Sequence, residues 1–396
     1  MKVNLTKDNV KLIGRTLVTG ENLLLAMSGT GIEFEYEGEG FDMTFIAGDA
    51  AEVPDNDANQ ARIAVYVDGV RRVDTQLKAR ETTIHILKGD PAKRPSADAA
   101  LGVRRDPPGD ISADPSRGVR RDPYLSQWCK NDGKTHVVRV IKLSEAAMSV
   151  AMLAPFEISE GESVRPTPRL PHRIEFIGDS ITCGYGVDDE DPLHLFKTAT
   201  EDVTRAFAYK TAAALNSEYS MFSASGWGII SGWTDDPEIR HADQLIPTYY
   251  ETYGLTYDSI QGVPAPGETA WDFGKYVPEV IVINLGTNDD SYTVEDESRQ
   301  NEYASLYVDF LEKVRSHNKD AYIICVLGVM GDRLYPYVRK AVEDFKAKTG
   351  DEQISAVHLP EQDGNIGYVC DYHPLESAHD KASEVLVAAI RKIMGW

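Results

Sequence analysis

Four short segments of this chain carry residue types that together can perform acyl transfer: Gly178-Asp179-Ser180-Ile181, residues 222–228 (FSASGWG), Gly286-Thr287-Asn288-Asp289 and Cys370-Asp371-Tyr372-His373-Pro374. A serine hydroxyl is a poor nucleophile at its own pKa and needs an adjacent base. His373 suits that task, because an imidazole titrates near neutral pH. Its charging predicts loss of activity below about pH 6.5. Asp371 is the nearest carboxylate in sequence and could hold the imidazole tautomer. Attack on an ester carbonyl builds negative charge on the former carbonyl oxygen, which needs preorganised donors. The Ser180 N–H, the Gly226 N–H and the Asn288 side-chain amide are three such donors, with Gly228 as the rival of Gly226. Asp179 reads as a brace for the nucleophile loop, and Cys183 and His379 as structural. Trp227, Trp233, Tyr185 and Tyr335 offer flat faces on which a sugar ring can stack. The other histidines are scattered without ligand spacing, so no metal is expected.

These segments need elements that bring their ends together. Apolar runs at 173–177 (RIEFI), 280–285 (VIVINL), 322–327 (YIICVL) and 354–359 alternate with helical stripes. One stripe is Val203, Phe207, Lys210, Ala214; others run through 303–314, 334–345 and 383–394. That alternation predicts βαβ units and a parallel sheet covered on both faces. Ligands bind beyond the carboxyl ends of such strands. RIEFI runs into Ser180, and VIVINL runs into Asn288. Segment 222–228 is a candidate for a third strand end.

Residues 1–160 read differently. Residues 29–45 (GTGIEFEYEGEGFDMTF) alternate apolar and polar, and Ile63, Val65 and Val67 share a face ahead of an Asp68-Gly69 hairpin signal. Residues 83–87 and 136–143 look like further strands. The prediction is a β-sandwich of jelly-roll type over 1–160, a linker over 161–170, and an α/β/α three-layer domain over 171–396. A repeat interrupts the sandwich: residues 96–111 (SADAALGVRRDPPGDI) are followed by 112–123 (SADPSRGVRRDP). Its Pro, Asp and Arg content reads as a low-complexity insertion.

The chain has 396 residues and a formal net charge of −22, which disfavours nucleic acid as a partner. No run approaches the roughly 18 apolar residues of a membrane span. The first residues lack an apolar leader core, and the four cysteines form no CxxC pair. The expectation is a cytoplasmic chain, or a secreted one whose leader has been removed.

GDSI, the Gly226 segment, GTND and the late Asp/His pair resemble, in order, the four blocks of the SGNH (GDSL-like) hydrolase superfamily. The resemblance spans about residues 173–396. A β-sandwich ahead of that domain, SGWG in the second block and DYHP in the last are most similar to carbohydrate esterase family 2. That likeness implies a serine esterase that deacetylates polysaccharides such as xylan and glucomannan without a cofactor. It implies Ser180, Gly226 and Asn288 around the oxyanion and His373 as base. The general pattern has Asp three residues before His, where this chain has Cys370. Asp371 would then act through its side chain or its main-chain oxygen. Two other readings are a lipase or acyl-thioesterase of the broader family, and a non-catalytic carbohydrate-binding protein.

Overall fold

The computed structural model describes residues 1–53, 58–87, 120–122, 124 and 134–396. The chain divides into two compact units. The first holds Met1–Arg169 with two short returns, Lys197–Ala199 and Leu255–Glu268; the second holds Leu170–Phe196, Thr200–Gly254 and Thr269–Trp396.

The first unit contains strands β1 (Lys2–Val3), β2 (Lys11–Ile13), β3 (Thr16–Thr19), β4 (Asn22–Leu25), β5 (Gly31–Glu37), β6 (Phe41–Ala47) and β7 (Arg62–Val67). It continues with β8 (Val70–Gln76), β9 (Glu81–Ile86), β10 (Thr135–Lys142), β11 (Ala151–Leu153), β12 (Phe156–Glu157) and β13 (Ser163–Pro166). One antiparallel sheet runs β13-β5-β10-β7-β8 with β2 also on β5; the other runs β3-β4-β11-β6-β9. Alternation explains the arrangement. Ile32, Phe34 and Tyr36 of β5 and Met43 and Phe45 of β6 enter one core, joined by Ile84 and Ile86 of β9. Asp68 and Gly69 turn between β7 and β8 with φ of 52° and 76°, the left-handed pair that a tight hairpin needs.

Ser163–Pro166 lies inside the stretch read as a linker, yet it pairs antiparallel with β5, Ser163 opposite Glu37. β13 is the edge strand, where the missing N–H of Pro166 costs no ladder bond. The 96–123 repeat lies outside the described residues except for 120–122. There Arg121 bridges Val70, and the Asp122 carboxylate meets the buried Arg139 guanidinium at 3.1 Å.

The second unit is a five-stranded sheet ordered β15-β14-β16-β17-β18, all parallel. Its strands are β14 (His172–Gly178), β15 (Ser217–Ser223), β16 (Val280–Asn284), β17 (Tyr322–Val329) and β18 (Ile354–Glu361). Every residue of β16 is buried, so both faces are covered. The helices are α1 (Ser180–Cys183), α2 (Phe207–Ala214), α3 (Ile246–Tyr249), α4 (Asp289–Thr293), α5 (Glu297–His317), α6 (Tyr335–Thr349) and α7 (Glu376–Met394). Val203 does not join Phe207 in one helix: it lies in a separate turn, Val203–Arg205, and Ala206 is extended. The strand order reverses at β14, whose neighbours are β15 and β16. That reversal opens the crevice where α/β sheets bind ligands.

Candidate active site

The crevice receives three of the chemical segments. Gly178 at the end of β14 pairs with Ser223 of β15 and with Asn284 of β16. Ser180, Gly226 and Asn288 therefore leave three adjacent strand ends within a few residues. Ser180 opens α1, and Asp179 caps that helix by accepting the Ile181 N–H at 3.0 Å. The position leaves the Ser180 N–H without an intrahelical acceptor.

The fourth segment brings the base. His373 Nε2 lies 2.9 Å from Ser180 Oγ, and Nδ1 donates to the main-chain oxygen of Asp371 at 3.1 Å. His373 is extended, as the following Pro374 requires. Its loop is tied down residue by residue. Cys370 N–H donates to Asp189 O, Asp371 N–H to His194 O, and His373 N–H to Cys370 O. The Asp371 carboxylate turns away from the imidazole and accepts the Tyr185 hydroxyl at 2.7 Å and the Phe196 N–H at 3.2 Å. Loss of hydration on burial pushes His373 down to about 4, against the raising effect of the Asp371 carbonyl and charge.

The donors for an oxyanion are in place. Among the described residues, neither the Ser180 N–H nor the Gly226 N–H has a hydrogen-bond acceptor. Gly226 has φ +81° and open space where a Cβ would stand. Gly228 is not the donor, since its N–H is taken by Gln244 O at 3.2 Å. Asn288 does not cap α4 with its side chain. One Nδ2 hydrogen goes to Trp227 O at 2.9 Å, which leaves the other for a ligand.

Sequence reasoning missed the residue that shapes this loop. Asp289 Oδ1 accepts the N–H groups of Ile229, Ile230 and Ser231 at 2.7, 2.6 and 3.3 Å. A Cβ on Gly228 would stand 2.5 Å from that oxygen, so glycine is required there. Burial pushes Asp289 up to about 6; burial together with the Asp289 charge pushes Asp179 up to about 7. The available signal was Asp289 itself, adjacent to Asn288 at the start of a helix.

The four aromatic platforms separate. Trp227 is only 3% exposed and packs against Tyr249, so it is core and not a sugar platform. Tyr185 has both ring faces covered, by His373 at 4.0 Å and Phe196 at 4.1 Å, and is not a platform either. Trp233 is 57% exposed, and its main-chain N–H donates to Gly226 O. Tyr335 opens α6 beyond β17 and leans on His358. Cys183 is buried with its thiol on Ser223 Oγ. His379 is buried in α7 and accepts the Phe207 N–H; both are structural.

Comparison with known proteins gives the family. Residues 176–380 match the GDSL-like lipase/acylhydrolase family. A cellulase/esterase of Acetivibrio thermocellus is 33% identical over 270 residues, 67% of this chain and 31% of that protein. The chain thus spans about a third of that relative. An acetylxylan esterase/glucomannan deacetylase of Cellvibrio japonicus is 27% identical over 67% of this chain and 69% of its own. Among solved structures, a family two carbohydrate esterase from Clostridium thermocellum in complex with cellohexaose superposes with TM-score 0.73. It is 25% identical, over 98% of this chain and 99% of that one. An acetyl xylan esterase from the rumen bacterium Butyrivibrio proteoclasticus shares the fold at TM-score 0.76 and 21% identity, over 100% and 98% of the two chains.

Proposed function

Since the chain belongs to the GDSL-like lipase/acylhydrolase family, we propose that it is a serine esterase removing O-acetyl groups from plant-type polysaccharides or oligosaccharides such as xylan and glucomannan. The observation that carries this reading is the 2.9 Å contact between Ser180 Oγ and His373 Nε2, beside donors left open. His373 takes the hydroxyl proton as Ser180 Oγ bonds to the acetyl carbon. The carbonyl oxygen gains charge, met by the Ser180 and Gly226 N–H groups and the free hydrogen of Asn288 Nδ2. The sugar leaves with the proton from His373. Water, deprotonated by the same imidazole, then attacks the acetyl-enzyme; acetate departs and Ser180 regains its proton. The sugar-ester substrate class is supported by the activities named for the relatives and by the exposed Trp233, whose main chain is hydrogen-bonded to Gly226.

The test is acetate release from acetylated xylan, glucomannan and cello-oligosaccharides, run beside Ser180→Ala. The variant is expected to lose at least about 10³-fold in turnover. Near-normal hydrolysis by it would reject the assignment. A second reading, a longer acyl group, is favoured by Leu193 and Leu195, 76% and 78% exposed on the loop hydrogen-bonded to Asp371. Faster cleavage of octanoyl than acetyl esters would select it.

A further inference from the structure

We propose that Tyr185 is a positioning residue for the base: its ring sets the plane of the His373 imidazole, and its hydroxyl fixes the Asp371 backbone that orients Nδ1. In a Ser-His-Asp triad a carboxylate binds Nδ1 directly. Here the carboxylate is one step removed, and a carbonyl takes its place. Something else must hold that carbonyl still.

The hold has three parts. The Tyr185 and His373 rings stack with centroids 4.0 Å apart and planes at 23°, and Phe196 backs the far face at 4.1 Å. The Tyr185 hydroxyl donates to Asp371 Oδ2 at 2.7 Å. That bond anchors a strained turn: Asp371 and Tyr372 have φ of 49° and 59°, and a left-handed tyrosine persists only where its surroundings over-determine it. Glycines on either side permit the approach. Gly184 has φ +78°, and Gly186 has φ +60° with the Cys370 sulfur 2.1 Å from where its Cβ would be. Neither ring face is free for a sugar, so the residue acts through His373.

The titratable groups around the imidazole are Cys370, Asp371 and Tyr372 in its own turn, Tyr185 stacked on it, and His379 in α7. Burial keeps the Cys370 thiol and the His379 ring neutral near pH 7, while the Tyr185 ring and the Asp371 carbonyl are in direct contact with the imidazole.

The test uses the full chain with Tyr185→Phe, which keeps the stack, and Tyr185→Leu, which removes it. The His373 titration is followed by imidazole NMR, and kcat and KM are measured on p-nitrophenyl acetate. Only the kinetic arm rests on the esterase reading. Tyr185→Leu is expected to raise the His373 midpoint by about a unit or more, because water reaches the uncovered face. Tyr185→Phe should raise it less, by freeing the Asp371 carboxylate. We expect kcat to fall about tenfold for Tyr185→Phe and about a hundredfold for Tyr185→Leu, with KM within about twofold of wild type. In a Tyr185→Phe/Asp371→Asn double variant, most of the Tyr185→Phe effect should vanish. An unmoved His373 midpoint, or a higher KM at constant kcat, overturns the proposal. If Tyr185→Leu does not fold, Tyr185→Phe decides by the same criteria. A shifted midpoint in a chain that cleaves no ester sinks the esterase reading and leaves this one standing.

Discussion

His373 donates its Nδ1–H to the main-chain oxygen of Asp371, 3.1 Å away, while the carboxylate of that residue faces Tyr185. The orienting acceptor is therefore a backbone atom that side-chain substitution cannot remove. Asp371→Asn keeps the carbonyl and an acceptor for the Tyr185 hydroxyl, and should lower kcat by no more than about tenfold. Loss of a directly bound triad carboxylate costs about 10⁴-fold. Steady-state kinetics that show a fall of that size would place the carboxylate on the imidazole.

The acid limb of the pH profile should lie well below the neutral range. A base must be uncharged to accept a proton, and burial moves His373 from the ordinary 6.5 to about 4. Activity should hold from pH 7 to about 5.5 and fall as pH drops through about 4. A midpoint of kcat/KM near 6.5 would show that the ring stays fully hydrated.

Asp179 and Asp289 give stability the opposite slope. Their folded pKa values, about 7 and about 6, lie above the ordinary 3.8, so the folded state holds protons that the unfolded chain releases. Their contribution is complete below about pH 3.8 and is lost as pH rises through 6 to 7. Asp179→Asn should flatten the decline of the urea midpoint between pH 4 and 7. An unchanged slope would remove Asp179 as its source.

Asp289 should matter to catalysis through the loop it holds. Asp289→Ala leaves three buried N–H groups without their acceptor and should cost about 1–3 kcal/mol for each one left unpaired. With Gly226 no longer fixed, kcat should fall about 10²-fold. Asp289→Asn retains an acceptor oxygen and should recover most of both. Equal kinetics for the two variants would separate the loop from the oxyanion.

The two tryptophans should respond in opposite ways. Trp227→Ala opens a cavity in the core and should destabilise by about 3–5 kcal/mol. Trp233→Ala should leave the melting temperature and p-nitrophenyl acetate turnover unchanged while raising KM for acetylated oligosaccharides several-fold. An unchanged oligosaccharide KM would exclude Trp233 from substrate binding.

The sequence by itself determined the parallel sheet and the strand ends from which two of the chemical segments leave. Apolar runs over 173–177 and 280–285 lead into the Ser180 and Asn288 segments, helical stripes alternate with such runs, and a parallel sheet delivers both strand ends to one edge. Ser180 and Asn288 stood out as residue types able to do chemistry just past strand ends, His373 as an imidazole on a loop before the last helix, and Gly226 because glycine permits close approach. The sandwich was legible in the alternation of 29–45. Tertiary structure alone decided what each side chain faces. Nothing local distinguishes buried Trp227 from exposed Trp233, or a Tyr185 free for sugar from one wedged between His373 and Phe196. Whether Asp371 offers its carboxylate or its carbonyl depends on a left-handed turn held by partners 175 to 186 residues earlier. Such contacts between residues far apart in sequence carry no period, so only the folded chain reveals them.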